Sequence, residues 1–97
     1  MLLGDLIARF DDEAVAVEAL VLLDDLPLTI RIREAAAHEG LTAGEFASAA
    51  VQQFSSSASD EEWVTVIGQM GKSDEPGLVL LRRSLIWALT SKPMVQA

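Results

Sequence analysis

The chain has 97 residues, of which 51% are hydrophobic and none is cysteine, and its formal net charge is −8. That length makes one domain. The lack of cysteine excludes disulfides, thiolate chemistry and zinc–thiolate sites, and the acid excess weighs against sequence-independent binding to phosphate backbones.

The chain opens on Met1-Leu2-Leu3-Gly4-Asp5, which has no basic stretch and carries an early acid, so a secretory signal is not expected. No apolar run approaches the ~18 residues of a membrane span. The expectation is a cytoplasmic protein without a membrane contact. A first amphipathic helix is read from Leu2, Leu3, Leu6, Ile7 and Phe10. Asp11 or Asp12 then caps a second helix that runs to about Leu23 and is apolar nearly all round. Its valines admit a strand, but its length, its alanines and the Asp cap favour a central buried helix.

Asp24-Asp25 at that point reads as the start of a third helix with Pro27 in its first turn, because two acids oppose the macrodipole at a helix C-terminus. No neighbouring His or further acid completes a metal-ligand set there. The third helix ends at Gly40, a residue suited to the left-handed cap. Its His38 is the only histidine, and it stands in the last turn, where a cation is favourable. Thr42-x-x-Glu45 and Ser59-x-x-Glu62 are capping-box patterns that start a fourth and a fifth helix. Ser73-Asp74-Glu75-Pro76 starts a sixth, with Ser73 or Asp74 as cap, and Pro93 prevents its extension. The fold expected is all-α, a compact bundle of five to six short helices in one domain, with residues 91–97 frayed.

No G-x-S-x-G, no second histidine and no glycine-rich phosphate loop occurs. No catalytic, metal or cofactor residue is therefore nominated, and the chain is not expected to be an enzyme. Half the residues being hydrophobic, with a mean hydropathy of +0.31, is high for a domain that buries only roughly two-thirds of its unfolded surface. Either one helix is wholly buried or a second subunit covers an apolar face; the second reading is preferred. Helix six offers two apolar stripes, Leu78, Leu81, Leu85, Ala88 and Leu89 on one side and Val79, Leu80, Ile86 and Trp87 on the other. It is either a central core helix or a contact helix. Helix two has no basic or aromatic anchor and is assigned to the core. Val79, Leu80, Arg83, Ile86 and Trp87 on helix six are assigned to a protein-binding surface, since Trp and Arg are the usual anchors of such surfaces. The partner expected is a second copy of the chain, with a basic protein surface also suited to the charge.

Residues 26–54 carry one family resemblance. Ile32-Arg33-Glu34-Ala35-Ala36-Ala37-His38-Glu39-Gly40-Leu41-Thr42-Ala43-Gly44-Glu45-Phe46-Ala47 resembles a helix-turn-helix, with Ala36, Gly40 and Phe46 at the small, turn and apolar positions. The stretch is also similar to the helix pair of ribbon-helix-helix regulators, with Thr29-Ile30-Arg31-Ile32 imitating their strand. The resemblance implies, as the alternative function, a DNA-binding transcriptional regulator or antitoxin-like protein. On the residues themselves, Thr29–Ile32 is better spent on helix three, and the would-be reading helix Ala43–Phe54 has no Lys or Arg and carries Glu45. The whole chain is similar in style to small, uncharacterised helical proteins of bacteria, on Ser59-Asp60-Glu61-Glu62-Trp63, Ser73-Asp74-Glu75-Pro76-Gly77 and Leu81–Leu89; that likeness implies no activity.

Overall fold

In a computed structural model of the protein, residues 3–91 are described, apart from the side chain of Ser91. They form six helices and no strand: α1 (Leu3–Arg9), α2 (Glu13–Leu23), α3 (Leu26–His38), α4 (Ala43–Ser57), α5 (Asp60–Gly71) and α6 (Pro76–Ser91). Leu2 and the tail beyond Ser91, where fraying is expected, lie outside the described residues.

The punctuation acts as local chemistry requires. The Asp12 carboxylate accepts from the Ala14 N–H at 2.9 Å and starts α2. The acid pair that follows divides its work. Asp24 closes α2 in the left-handed region at φ 51°, and Asp25 caps α3 by accepting from the Leu28 N–H at 3.1 Å. At the end of α3, Gly40 takes φ +72°. Its N–H donates to the Ala37 carbonyl, and the Leu41 N–H donates to that of Ala36. The pair of bonds is a Schellman closure. Thr42 and Glu45 complete a reciprocal box: the hydroxyl accepts from the Glu45 N–H at 3.0 Å, and the carboxylate accepts from the Thr42 N–H at 2.9 Å. Ser59 accepts from the Glu62 N–H at 3.2 Å, but the Glu62 carboxylate turns to Arg83 instead of back to the cap. Before α6 the Ser73 hydroxyl accepts from the Glu75 N–H at 2.9 Å, a turn ahead of the helix, so neither Ser73 nor Asp74 holds a helical N–H.

The inner pair is α4 and α6. Phe46, Ala47, Ala50, Val51 and Phe54 of α4 are buried, as are Leu80, Leu81, Leu85 and Ala88 of α6. The buried Ser84 hydroxyl donates to the Leu80 carbonyl one turn back at 2.8 Å, so it adds no unsatisfied polar group. Phe54 is the hinge of an aromatic cluster. Its ring lies 5.1 Å from that of Trp63 on α5 and 5.7 Å, edge-on, from that of Trp87 on α6. α5 packs on α6, α1 on α4, and α2 and α3 each reach both inner helices.

The ranking of α2 and α6 is the reverse of the one expected. α2 turns Ala16, Ala19 and Leu20 inward and leaves Val17, Val21 and Leu22 exposed. The reason is geometric. α6 meets helices on several sides and buries Leu81, Leu85 and Ala88 of one apolar stripe and Leu80 of the other. α2 rides on the outside of α4, at a crossing so close that one face suffices. A Cβ at Gly44 would come within 2.6 Å of Val17 Cγ2 and 2.7 Å of Glu13 Cγ. The Thr42 hydroxyl locks the same seam by donating to Glu13 Oε2 at 2.8 Å.

Two outcomes follow in denaturant melts. Gly44→Ala should destabilise the fold by about 1–3 kcal/mol, because Val17 and Glu13 must move away from the new Cβ and Val17, β-branched on a helix, leaves its preferred rotamer to do so. Thr42→Ala should cost about 1–2 kcal/mol, more than the ~1 kcal/mol of Ser59→Ala, since Thr42 loses an interhelical bond as well as its cap. Equal midpoints for the two cap variants would remove the Glu13 bond from the account.

Candidate interaction surface

The five residues expected to form a contact surface on α6 do not share one face. Val79, Arg83 and Ile86 line a groove of about 560 Å³ that α6 floors, with Leu22 and Leu23 of α2 on one wall and Gln69 of α5 on the other. Leu80 does not reach the surface: its exposure is 0%. One residue along a helix is a rotation of about 100°, which carries it from the groove into the core. Trp87 is half-buried with its edge against Phe54; it does not line the groove.

The same rotation separates Arg82 from Arg83. Arg82 reaches the α3 cap, with Nη1 2.7 Å from Asp25 Oδ2, and Arg83 reaches the first turn of α5, with Nη2 3.0 Å from Glu62 Oε1. Both guanidiniums of the groove are thereby matched to acids of the chain itself. The Arg83 Nε is buried and has no partner among the described residues. Asp25 does two jobs with two oxygens, one on the Leu28 N–H and one on Arg82. The bond from Arg82, helped by the one from Leu28 and opposed by burial, holds its carboxyl below the ordinary 3.8.

A second apolar surface lies where it was not expected, on α2 and α3. Val21 is 73% exposed and Leu26 is 69% exposed, and Val17, Leu22 and Ile30 are exposed beside them. Val17, Val21, Leu26 and Arg33 edge a notch of about 250 Å³ between the two helices, with Asp24 and Asp25 at its vertex and Ala43 of α4 at its mouth. The signal for this surface was present as Val17, Val21 and Asp24 on one helix and Leu26, Ile30 and Arg33 on the next, both spaced i, i+4, i+7. A smaller pair, Val64 and Ile67, is exposed on α5.

The helix-turn-helix stretch forms α3, a turn and α4, but α4 is enclosed by α2 and α6. What α4 shows to solvent is Glu45, Gln53, Ser56 and Ser57. Gln52 is spent inside the fold, its amide donating to the Ile7 carbonyl at 3.1 Å. His38 is exposed in the last turn of α3. Among the described residues no three His, Asp or Glu side chains converge as metal ligands, and no helix is long and apolar enough to cross a membrane. Comparison with family models, with curated proteins and with solved structures gives no match.

The Asp25 contact has a pH signature. A carboxyl held below its ordinary value adds stability that is present above about pH 4 and is lost as pH falls through the lowered value. Asp25→Asn keeps a capping oxygen but not the charge. Its melting midpoint should therefore fall less steeply than the wild-type midpoint between about pH 5 and pH 3. Parallel curves would show that the Arg82 contact contributes nothing to acid sensitivity.

Proposed function

We propose that this chain is a non-enzymatic protein-interaction module, cytoplasmic and homodimeric, whose contact surface is the outer face of α2 and α3. The observation that carries this is the pair Val21 and Leu26, 73% and 69% exposed, with Val17 and Ile30 exposed beside them on the same two helices. Scattered surface aliphatics are ordinary, whereas neighbouring ones on two adjoining helices mark a contact. The groove on α6 is a weaker candidate, because its arginines already hold Asp25 and Glu62. A cysteine-free chain is compatible with a reducing compartment.

The alternative, a DNA-binding regulator acting through residues 26–54, has the turn geometry of α3 and α4 to support it. Its reading helix offers no cation and exposes Glu45, in a chain of net charge −8. Random duplex should not be retarded by the protein at physiological salt. Salt-sensitive retardation that is lost when Arg31 and Arg33 are replaced would favour the alternative.

Equilibrium sedimentation tests the leading reading. The wild-type chain should sediment as a dimer at tens of micromolar. Val21→Glu with Leu26→Glu should yield a monomer of unchanged helicity, and Ile86→Glu on α6 should leave the dimer intact. A wild-type monomer rejects the proposal, and a dimer lost only with Ile86→Glu moves the contact to α6. Trp87→Glu is unsuited to this test, because it strikes the aromatic cluster around Phe54.

A further inference from the structure

Resting on the dimer reading above, we infer that two copies meet notch to notch across a two-fold axis, so that Asp24 of each copy pairs with Arg33 of the partner subunit.

The argument begins with Asp24, which is doubly misplaced for a helix end. It holds a positive φ of 51°, the only such non-glycine residue among those described. Glycine would sit there without strain, whereas aspartate, like asparagine, does so only occasionally. It also puts a negative charge at the C-terminus of α2, against the macrodipole. Asp25 is explained by its cap and by Arg82. Asp24 has no such return: among the described residues its carboxylate meets no cation. Arg33, at the other end of the same notch, is exposed and meets no carboxylate among the described residues. An unfavourable local choice that persists points to an interaction elsewhere.

The pattern between these two residues is self-complementary. Along α3 the seven-residue step from Leu26 to Arg33 is about 10 Å. The notch thus carries an acid at its vertex, a base towards its mouth, and Val17, Val21 and Leu26 between, with Ile30 exposed on α3 beside it. A half-turn about an axis through the middle of that face lays the vertex of one copy over the mouth of the other. Each acid then meets a base and the aliphatic positions meet their own kind. This is the isologous arrangement that closes at two copies. Charge also selects it. Each chain carries −8 overall, so two copies repel unless cations stand where they approach, and Arg33 stands there. A basic partner protein would satisfy Asp24 but would leave Arg33 facing like charge.

A charge-reversal cycle read by sedimentation equilibrium tests the pairing. Asp24→Arg and Arg33→Asp should each weaken the dimer by about tenfold or more, since each places two like-charge contacts in a symmetric interface. The double variant should recover to within about threefold of wild type. Asp24→Asn guards against a folding artefact. Asparagine accepts the left-handed backbone and removes the unfavourable charge, so the monomer should melt at higher denaturant while the dimer weakens. A wild-type dimer that loses association with Val21→Glu and Leu26→Glu but ignores both reversals overturns the pairing and leaves the contact face standing. Two weakened single variants with no recovery in the double also overturn it, because the charges then act on something other than each other. A wild-type monomer overturns both.

Discussion

A chain of 97 residues can enclose few helices on more than one side, and α4 and α6 take those places. The rest of the architecture follows from that pairing. α6 needs two apolar stripes because it is covered on two sides, and its charged positions fall at the borders between its neighbours. Arg82 and Arg83 are pulled in different directions to Asp25 and Glu62, so one helix pins the start of α3 and the first turn of α5. Exposed ion pairs of this kind contribute little stability singly. Their use here is positional: they set where two helix N-termini sit around the core.

How far the chain could be read depended on whether a feature was decided locally. The caps at Asp12, Asp25, Thr42 and Ser59 and the glycine stop at Gly40 were legible, because each is settled within about four residues. The second half of the Ser59 box was not, since Glu62 had a distant competitor in Arg83. The assignment of α2 to the core failed for a related reason. A helix apolar nearly all round is compatible with burial or with a contact face, and sequence composition does not rank two such helices. The ranking lay in the seam. Gly44 and the alanines of α2 let that helix approach α4 closely on a single face, which leaves the outer face with its valines and leucines unused.

The candidate surface was legible in the same partial way. Val79, Arg83 and Ile86 do converge on a groove, as spacing along α6 required. Leu80 and Trp87 were placed with them by stripe counting, but a helix covered on two sides has little outer face left, and the core took Leu80 wholly and Trp87 in part. Helical spacing marks stripes on α2 and α3 as well, but it does not say which stripe is left exposed. Two stripes of the same i, i+4, i+7 spacing end in charges of opposite sign, and that pattern was obscured by treating Asp24-Asp25 as a single capping unit.

The division of labour in that acid pair joins the core to the surface. Asp25 faces inward in function, holding the α3 N-terminus and Arg82 of the central helix. Asp24, its neighbour, closes α2 in a left-handed conformation that turns the chain abruptly. The one short turn therefore fixes how far the stripes on α2 and α3 stand apart, and it does so through a contact made to α6 and not to either stripe. The contact face proposed for α2 and α3 would inherit its geometry from the core. If Arg82 released Asp25, the start of α3 would lose its tether, and the two stripes would no longer be held at one separation. The Arg82–Asp25 contact should thus matter to the proposed association, although Arg82 lies on α6 and Asp25 only at the vertex of the notch. This also explains why a neutralising substitution at Asp25 and one at Asp24 are not equivalent. The first acts on the scaffold that spaces the two stripes, and the second acts on the face they present.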